Sequence, residues 1–159
     1  HLDAVRVGIG FYGFWPSTEL AIQKRTLALK PVLTWKSIVT EIKTVPKNSF
    51  IGYDLTEKTD RAKRIAVIPI GYWHGFRRGL SRVGEVLIAG KRARVLGLVS
   101  MDLMVVDVSK INARVGSDVI LLGKTKKQQI SAEEIAQKLE TNHYEVVTGI
   151  NPLIERVTV

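Results

Sequence analysis

The amino-acid sequence predicts a mostly β domain, a closed or nearly closed β-barrel with one or two short helices. Runs rich in β-branched and apolar residues recur along the chain, and glycine, proline or a cluster of charges bounds each run. One strong helix signal follows these runs, and the sequence contains no internal repeat, heptad or low-complexity tract. We therefore predict about eight short strands. The clearest lie near residues 34–45, 64–70, 85–89, 92–99, 103–108 and 118–122.

The predicted strands differ in kind. The segment 34–45 is rich in β-branched residues and ends at Pro46, which cannot donate to a β ladder. The almost continuous apolar run at 64–70 is typical of a strand buried on both faces. Residues 85–100 predict a hairpin with its turn at Ala89-Gly90-Lys91, because apolar and basic residues alternate after that turn.

A helix is predicted near 132–140. Ser131 followed by Glu134 forms a capping-box pattern. Four apolar residues then share one helical face: Ala132, Ile135, Ala136 and Leu139. Two further strands are expected, a buried one over 5–14 that runs into a loop and a closing one over 150–159.

Composition excludes several classes of protein. The 159 residues contain no cysteine, so disulfides and thiolate metal sites are excluded, and we expect a cytoplasmic protein. His1, His74 and His143 show no ligand spacing, and we expect no metal site. No apolar run approaches the roughly 18–20 residues that cross a bilayer, and we expect neither a membrane partner nor a signal peptide. The sequence contains neither a Walker phosphate loop nor the GxSxG nucleophile motif.

The net charge of +9 leaves a second function open, a basic β-barrel module that binds RNA or another polyanion. The basic clusters are scattered, at 61–64, 76–79, 91–94 and 124–127. Each cluster lies near a predicted turn or strand end, which favours solvated loops over one binding surface. The aromatic residues also stand beside glycines within apolar runs, whereas a single-strand binder alternates them with cations on an exposed face. We therefore expect no nucleic-acid partner.

Three glycine-flanked aromatic segments stand out: IGFYGF at 9–14, IGYD at 51–54 and IGYWHGF at 70–76. Glycine beside tyrosine permits tight turns and close approach of another group. The pattern alone fits either an aromatic core packed over glycine or tyrosine hydroxyls at the rim of a pocket. In the second case, a nearby cation must lower the tyrosine pKa from its usual value of about 10.

Taken in order, these segments resemble the motifs of bacterial alanine racemases, which use pyridoxal phosphate (PLP). VRVGIGFYG is similar to the family's VRxGIxxYG, and FIGYDLTE to its VxYGxTY. IAVIPIGYWHGFRRGLS is similar to IAxIPIGYADGxxRxLS, and GEVLIAGKRARVLGLVSMDLMVVDV to GxVLIxGxRAPIVGRVCMDQxMVDV. The resemblance covers the whole chain and implies an alanine racemase C-terminal-domain-like β-barrel.

The resemblance also implies a domain organisation. Residues 1–13 are expected to be a remnant of the PLP-binding (β/α)₈ barrel, 14–32 a connector and 33–159 the C-terminal β domain. Family members are homodimers that interconvert L- and D-alanine for peptidoglycan, and the β domain of one subunit reaches the active site of the other. The PLP lysine belongs to the barrel, so we expect the chain by itself to be inactive.

Some residues match family positions that handle the proton and the cofactor. Tyr53 matches the tyrosine that acts as the second catalytic base. Arg6 matches the arginine that faces the pyridine nitrogen of PLP, and a guanidinium does not readily give up its proton. Gly8 and Ile9 match positions whose backbone amides bind the phosphate. A packed strand tyrosine at 53 and a surface ion pair at Arg6 remain the structural alternatives.

Other residues match the substrate side of the family site. Met101 matches a methionine near the substrate carboxylate, and Asp102 completes its Met-Asp loop. Tyr72 matches a tyrosine that narrows the substrate entry, and Arg78 shares this entryway or is simply solvated. A buried methionine at a strand end is the alternative for Met101.

The sequence departs from the family pattern at four positions. Ser100 replaces a cysteine, Leu103 a glutamine and His74 an aspartate, while Pro152 stands where many members have a tyrosine. These changes bear on rate and substrate range more than on the class of reaction.

Overall fold

Strands dominate the computed structural model, which describes residues 3–24 and 26–158. The chain divides into two compact units, His1–Leu33 and Thr34–Val159. The predicted barrel remnant, connector and β domain each extend over residues outside the described ones, namely His1, Leu2, Arg25 and Val159. Within the described residues, no helix is long and apolar enough to cross a membrane.

Eight strands of the larger unit form one antiparallel sheet. They are β1 Trp35–Ile38, β2 Glu41–Val45, β5 Lys63–Ile68, β6 Glu85–Ile88, β7 Lys91–Leu96, β8 Met104–Asp107, β9 Asp118–Lys124 and β10 Gln129–Ile130. Their order is β1-β9-β6-β7-β8-β5-β2, with β10 also paired to β9. A separate hairpin consists of β3 Phe50–Ile51 and β4 Glu57–Lys58. The mostly β prediction is confirmed.

The sheet curls because its two outer strands are consecutive in the chain. The single strand predicted over 34–45 is in fact β1 and β2, separated by a bend at Val39 and Thr40. Val39 N donates to Ser117 O at 3.0 Å, whereas Thr40 N donates to Val67 O at 3.0 Å. Val39 thus bonds at the β1 end of the sheet and Thr40 at the β2 end. Because these residues are adjacent in the chain, the two ends of the sheet lie close together and the barrel is nearly closed.

The core lies on the inner face of this curl. In β5, Ile65, Ala66 and Ile68 are all buried, as predicted for a strand covered on both faces. The strand β7 instead alternates over its first five residues, where Ala93 and Val95 are buried and Arg92 and Arg94 are more exposed.

The β6–β7 hairpin turns where the sequence predicts it. Ile88 pairs with Lys91, and the two residues between them, Ala89 and Gly90, have φ of 49° and 73°. Positive φ at both central residues is the type I′ turn, whose twist matches that of the strands. The strand predicted over 92–99 ends earlier, at Leu96, because Gly97 takes a φ of 65°.

Helix α2 covers Ala132–Lys138, and its N-terminus is capped by Ser131 Oγ, which accepts from Glu134 N at 3.2 Å. Only this half of the capping box is formed, because the Glu134 carboxylate binds Arg92 and Lys138 instead of the Ser131 backbone N–H. This ion-pair cluster also includes Glu85 and ties the helix to the sheet. Among the described residues, α3 His143–Thr148 is the second helix of the larger unit, so the prediction of one or two short helices in the β domain is confirmed. The helix α1 Thr18–Gln23 belongs to the smaller unit.

The predictions of a strand over 5–14 and of another over 150–159 are both wrong for the described residues. Residues 8–12 form a 3₁₀ turn, with Gly13 at a φ of 79°, and Val5 before it is 78% exposed. Residues 151–158 form a turn and irregular chain. There Asn151 N donates a hydrogen bond to His74 O, and Asn151 Oδ1 accepts one from Leu153 N. Pro152 has no N–H to donate to a neighbouring strand. These bonds replace a β ladder.

The ion-pair cluster should make the domain sensitive to acid. Hydrogen bonding from Arg92 lowers the pKa of Glu134, against the opposing effect of burial. A carboxyl with a depressed folded-state pKa stabilises the fold above its unfolded pKa of about 4.3, and this contribution is lost as the pH falls through the folded value. We expect Glu134→Gln to lower the free energy of unfolding at pH 7 by about 1–3 kcal/mol and to flatten its fall toward pH 3.

Urea unfolding across this pH range measures the effect. Glu133→Gln is the matched control, because Glu133 is exposed on the same helix turn. Parallel pH profiles for wild type and Glu134→Gln would contradict the stabilising role.

Candidate functional site

Three loops of the larger unit converge around a surface cavity of about 370 Å³. Its lining consists of Tyr53, Tyr72, Arg78, Ser100, Met101, Asp102 and Leu103. Five of the residues singled out in the sequence therefore lie together, although they are spread over fifty positions of the chain. Ser100 and Leu103 were noted only as departures from the family pattern, and their closeness to Met101 in sequence is the signal that places them here.

Tyr53 stands in the loop between β3 and β4, with its side chain 59% exposed. The loop backbone is unusual: φ is 80° at Gly52, 59° at Asp54 and 49° at Leu55. Such conformations cost of order 1 kcal/mol for a residue with a side chain, so contacts outside the loop must enforce them. A β-bridge from Tyr53 to Leu98 is one of these contacts.

Two glycines bring this loop onto the end of β7. A Cβ added to Gly97 would lie 2.7 Å from the carbonyl oxygen of Ile51 and 3.3 Å from Gly52 Cα. Real Cβ atoms do not approach a backbone oxygen so closely, so glycine is required at 97. The Tyr53 loop is therefore held in place by contact between its backbone and that of Gly97.

Tyr72 and Met101 are brought together by a second close approach of two loops. A Cβ on Gly71 would lie 2.2 Å from Ser100 O and 2.4 Å from Met101 O. Next to it, Tyr72 N donates to Ser100 O at 3.0 Å and Trp73 N to Met101 O at 3.1 Å. These backbone bonds fix the spacing of the two side chains, which are both about half exposed toward the cavity.

The Ser100–Leu103 turn shapes the rest of the cavity floor. Ser100 Oγ donates to Leu103 O at 2.7 Å, and Ser100 N donates to the same oxygen at 3.1 Å. Met101 and Asp102 are the two residues at the tip of this turn. The serine found in place of the family's cysteine thus supports the turn by a hydrogen bond of its own.

Arg78 supplies a cation and Asp102 an anion to the cavity lining. Ser81 Oγ fixes the backbone near Arg78, because it donates to Arg78 O and accepts from Val99 N at 3.0 Å. A lining with one group of each charge and two phenols complements a small zwitterion such as an amino acid.

His74 and Pro152 are not among the residues that line the cavity. His74 Nδ1 accepts from Gly71 N at 3.2 Å and therefore braces the Tyr72 loop. Asn151 N donates to His74 O, and Asn151 Nδ2 donates to Trp73 O at 3.0 Å. Pro152 follows in an exposed turn.

The residues matched to cofactor positions lie in the smaller unit. Arg6 is exposed, and Gly8, at a φ of 60°, has open space where a Cβ would stand. Gly8 and Ile9 begin the 3₁₀ turn, so no carbonyl within the turn accepts from their N–H groups. These donors fit the phosphate of PLP. Within the part of the chain that the structure describes, no cluster of three or more His, Asp or Glu could hold a metal.

The fold and the cavity together define the class, a β domain whose loops bring their side chains together around one surface cavity. Residues 32–158 match the family described as alanine racemase, C-terminal domain. The chain belongs to this family.

Known racemases are similar over the whole chain. It is 39% identical over 165 residues to the alanine racemase of Leptospira interrogans, covering 100% of this chain and 42% of that protein. It is 44% identical over 156 residues to the enzyme of Halothermothrix orenii, covering 98% of this chain and 40% of that protein. The chain thus spans about two fifths of the length of these relatives.

Solved structures show the same fold. Alanine racemase of Bacillus anthracis with bound L-Ala-P has a TM-score of 0.83 at 35% identity, over 91% of this chain and 36% of that one. The enzyme of Clostridium difficile in complex with cycloserine has a TM-score of 0.82 at 37% identity, over 91% of this chain and 37% of that one.

Proposed function

We propose that this chain is the C-terminal part of an alanine racemase that works in the cytoplasm, with Tyr53 as one of its two proton-transferring groups. The observation that carries the proposal is the convergence of Tyr53, Tyr72 and Met101 on one cavity with Arg78 and Asp102. Membership of the racemase family supports it independently.

Racemisation requires a proton to leave one face of the α-carbon and another to arrive on the opposite face. The Tyr53 side chain serves one face: as the phenolate it accepts a proton at Oη, and as the phenol it returns one. We infer that the domain presents Tyr53 to the site of a second subunit in a homodimer, where a barrel lysine serves the other face.

PLP, when bound, stabilises negative charge at the α-carbon of the substrate. In this chain Arg6, Gly8 and Ile9 would hold it, Arg6 at the pyridine nitrogen and the two amides at the phosphate. A guanidinium keeps its proton, so Arg6 would donate a hydrogen bond without passing a proton to the ring.

The substrate side of the site selects small amino acids. Tyr72 and Met101 are held at fixed spacing by backbone bonds, so a bulky side chain cannot push them apart without breaking the Gly71–Ser100 contact. Arg78 and Asp102 line the entry and attract the two charged ends of a free amino acid. Alanine is the expected substrate.

Two arginines of the basic clusters that suggest a polyanion-binding barrel are engaged within the protein, which disfavours this alternative. Arg92 binds Glu85 and Glu134, and Arg64 donates to the carbonyl oxygens of Ile111 and Ala113. Cations engaged inside the protein are not available to phosphates.

A chiral assay of the full-length protein carrying this domain, loaded with PLP, tests the proposal. We expect L- and D-alanine to interconvert to equal amounts, and single-stranded RNA to bind weakly. Absence of racemisation together with RNA binding that falls steeply with salt would establish the alternative instead. The same protein assayed without PLP is the control.

A further inference from the structure

Glu57 is placed to hold the Tyr53 loop onto the sheet. It is the first residue of β4, and it pairs with Ile51, the last residue of β3, so it closes the base of the loop that carries Tyr53. Its side chain is only 15% exposed, although it carries a charge. A carboxylate so covered must have partners that compensate for lost hydration.

The two carboxylate oxygens of Glu57 have separate partners, one within β7 and one directly after it. Oε2 accepts from the backbone N–H of Gly97 at 2.6 Å, and Oε1 accepts from the Arg94 guanidinium. The Arg94 guanidinium also donates to Arg82 O at 3.2 Å, which limits its movement. The carboxylate is therefore held in one orientation from both sides.

The hydrogen bond from Gly97 N to Glu57 matters because the Tyr53 loop packs against the backbone of Gly97. Gly97 contacts Gly52 and Ile51 directly, and the residue after it, Leu98, forms the bridge to Tyr53. Glu57 thus binds the C-terminal end of the loop to Gly97, the residue that Ile51 and Gly52 contact at the N-terminal end of the loop. The positive φ values at 52, 54 and 55 are enforced between these two attachments.

We propose that Glu57, oriented by Arg94, is the positioning residue for Tyr53. It does not touch the reacting atoms; it sets the place of the Tyr53 hydroxyl through Gly97. This inference rests on the proposed function, in which Tyr53 carries the proton for one face of the α-carbon.

The test uses the full-length, PLP-loaded enzyme that carries this domain. Wash-out of α-deuterium is measured separately from L- and D-alanine in Glu57→Ala, Glu57→Gln and Tyr53→Phe, and in Glu133→Gln as a charge-matched control on an exposed helix position. We expect Glu57→Ala to slow exchange on the Tyr53 face by about tenfold to a hundredfold and to spare the other face. Glu57→Gln keeps one acceptor oxygen and should lie between Glu57→Ala and wild type.

A double-mutant cycle separates positioning from general stability. If Glu57 acts through Tyr53, adding Glu57→Ala to Tyr53→Phe causes no further slowing. As a readout besides activity, amide hydrogen exchange at Gly97 should quicken by about tenfold or more in Glu57→Ala, since a charged hydrogen bond is lost. If Glu57→Ala fails to fold, Glu57→Gln carries the same comparison.

Equal slowing of both faces, or normal exchange from both, in a variant where Tyr53→Phe is face-selective would overturn the positioning role alone. A Tyr53→Phe enzyme with normal exchange on both faces would instead overturn the proposed function of Tyr53, and the positioning role with it.

Discussion

Replacing Tyr53 with phenylalanine in the full-length enzyme is expected to lower the rate of racemisation by about 10²–10⁴-fold, the usual contribution of a positioned acid or base. Only a hydroxyl is lost, and the side chain is mostly exposed, so the fold should be unaffected. Both directions must slow together, because they share one equilibrium constant.

The isotopic result is more specific than the rate. Exchange of the α-proton with solvent should persist on the face served by the barrel lysine and disappear on the face served by Tyr53. Wash-out of α-deuterium from each alanine enantiomer measures this. Tyr144→Phe is the matched control, because Tyr144 is also partly exposed but lies on α3, away from the cavity lining.

Normal exchange from both enantiomers in Tyr53→Phe would remove Tyr53 as the proton carrier. Tyr72 would then be the next residue to test, since its phenol lines the same cavity.

Gly71→Ala should be the most damaging change outside the reacting groups. Its new Cβ would lie 2.2 Å from Ser100 O and 2.4 Å from Met101 O, both backbone atoms that no rotamer change can move away. The Tyr72 and Met101 loops must separate, at a cost of about 1–3 kcal/mol in the free energy of unfolding. Misplacement of about 1 Å at a reacting site reduces activity on the order of 100-fold, so kcat/KM should fall at least that far.

Gly90→Ala provides the control for Gly71→Ala. Gly90 has a φ of 73° and open space at its Cβ position, so alanine there introduces backbone strain without a clash. Strain of this kind costs about 1–2 kcal/mol, comparable with the loss expected for Gly71→Ala, but it lies in the β6–β7 turn. Urea unfolding and kcat/KM are measured for both. Equal losses of activity in the two variants would show that stability, and not the spacing of the two loops, limits the enzyme.

Local patterns were sufficient for the elements that neighbouring residues control. The Ala89-Gly90 turn, the Ser131 cap and the buried strand β5 could be predicted because each depends on φ preference, a side chain three residues away or the period of apolar residues. The same patterns failed at 5–14 and 150–159. Apolar residues there resemble a strand, but a strand also needs a neighbour with free donors and acceptors, and sequence period carries no information about that neighbour.

The candidate site depended on two kinds of information. The resemblance to family motifs singled out Tyr53, Tyr72, Arg78, Met101 and Asp102, whereas the pattern of residues alone also fitted tyrosines packed in an aromatic core. The sequence by itself therefore determined which residues to consider, and the β class of the domain that carries them.

Only the tertiary structure decided how those residues are held. Gly52 meets Gly97, and Gly71 meets Ser100, across separations of 45 and 29 positions. Glu57 reaches Gly97 N from 40 positions away, and Glu134 leaves its capping box half-formed to bind Arg92. Each of these contacts arises because the curled sheet brings distant backbone into van der Waals range, and no local propensity encodes which glycine or carboxylate will lie opposite which loop.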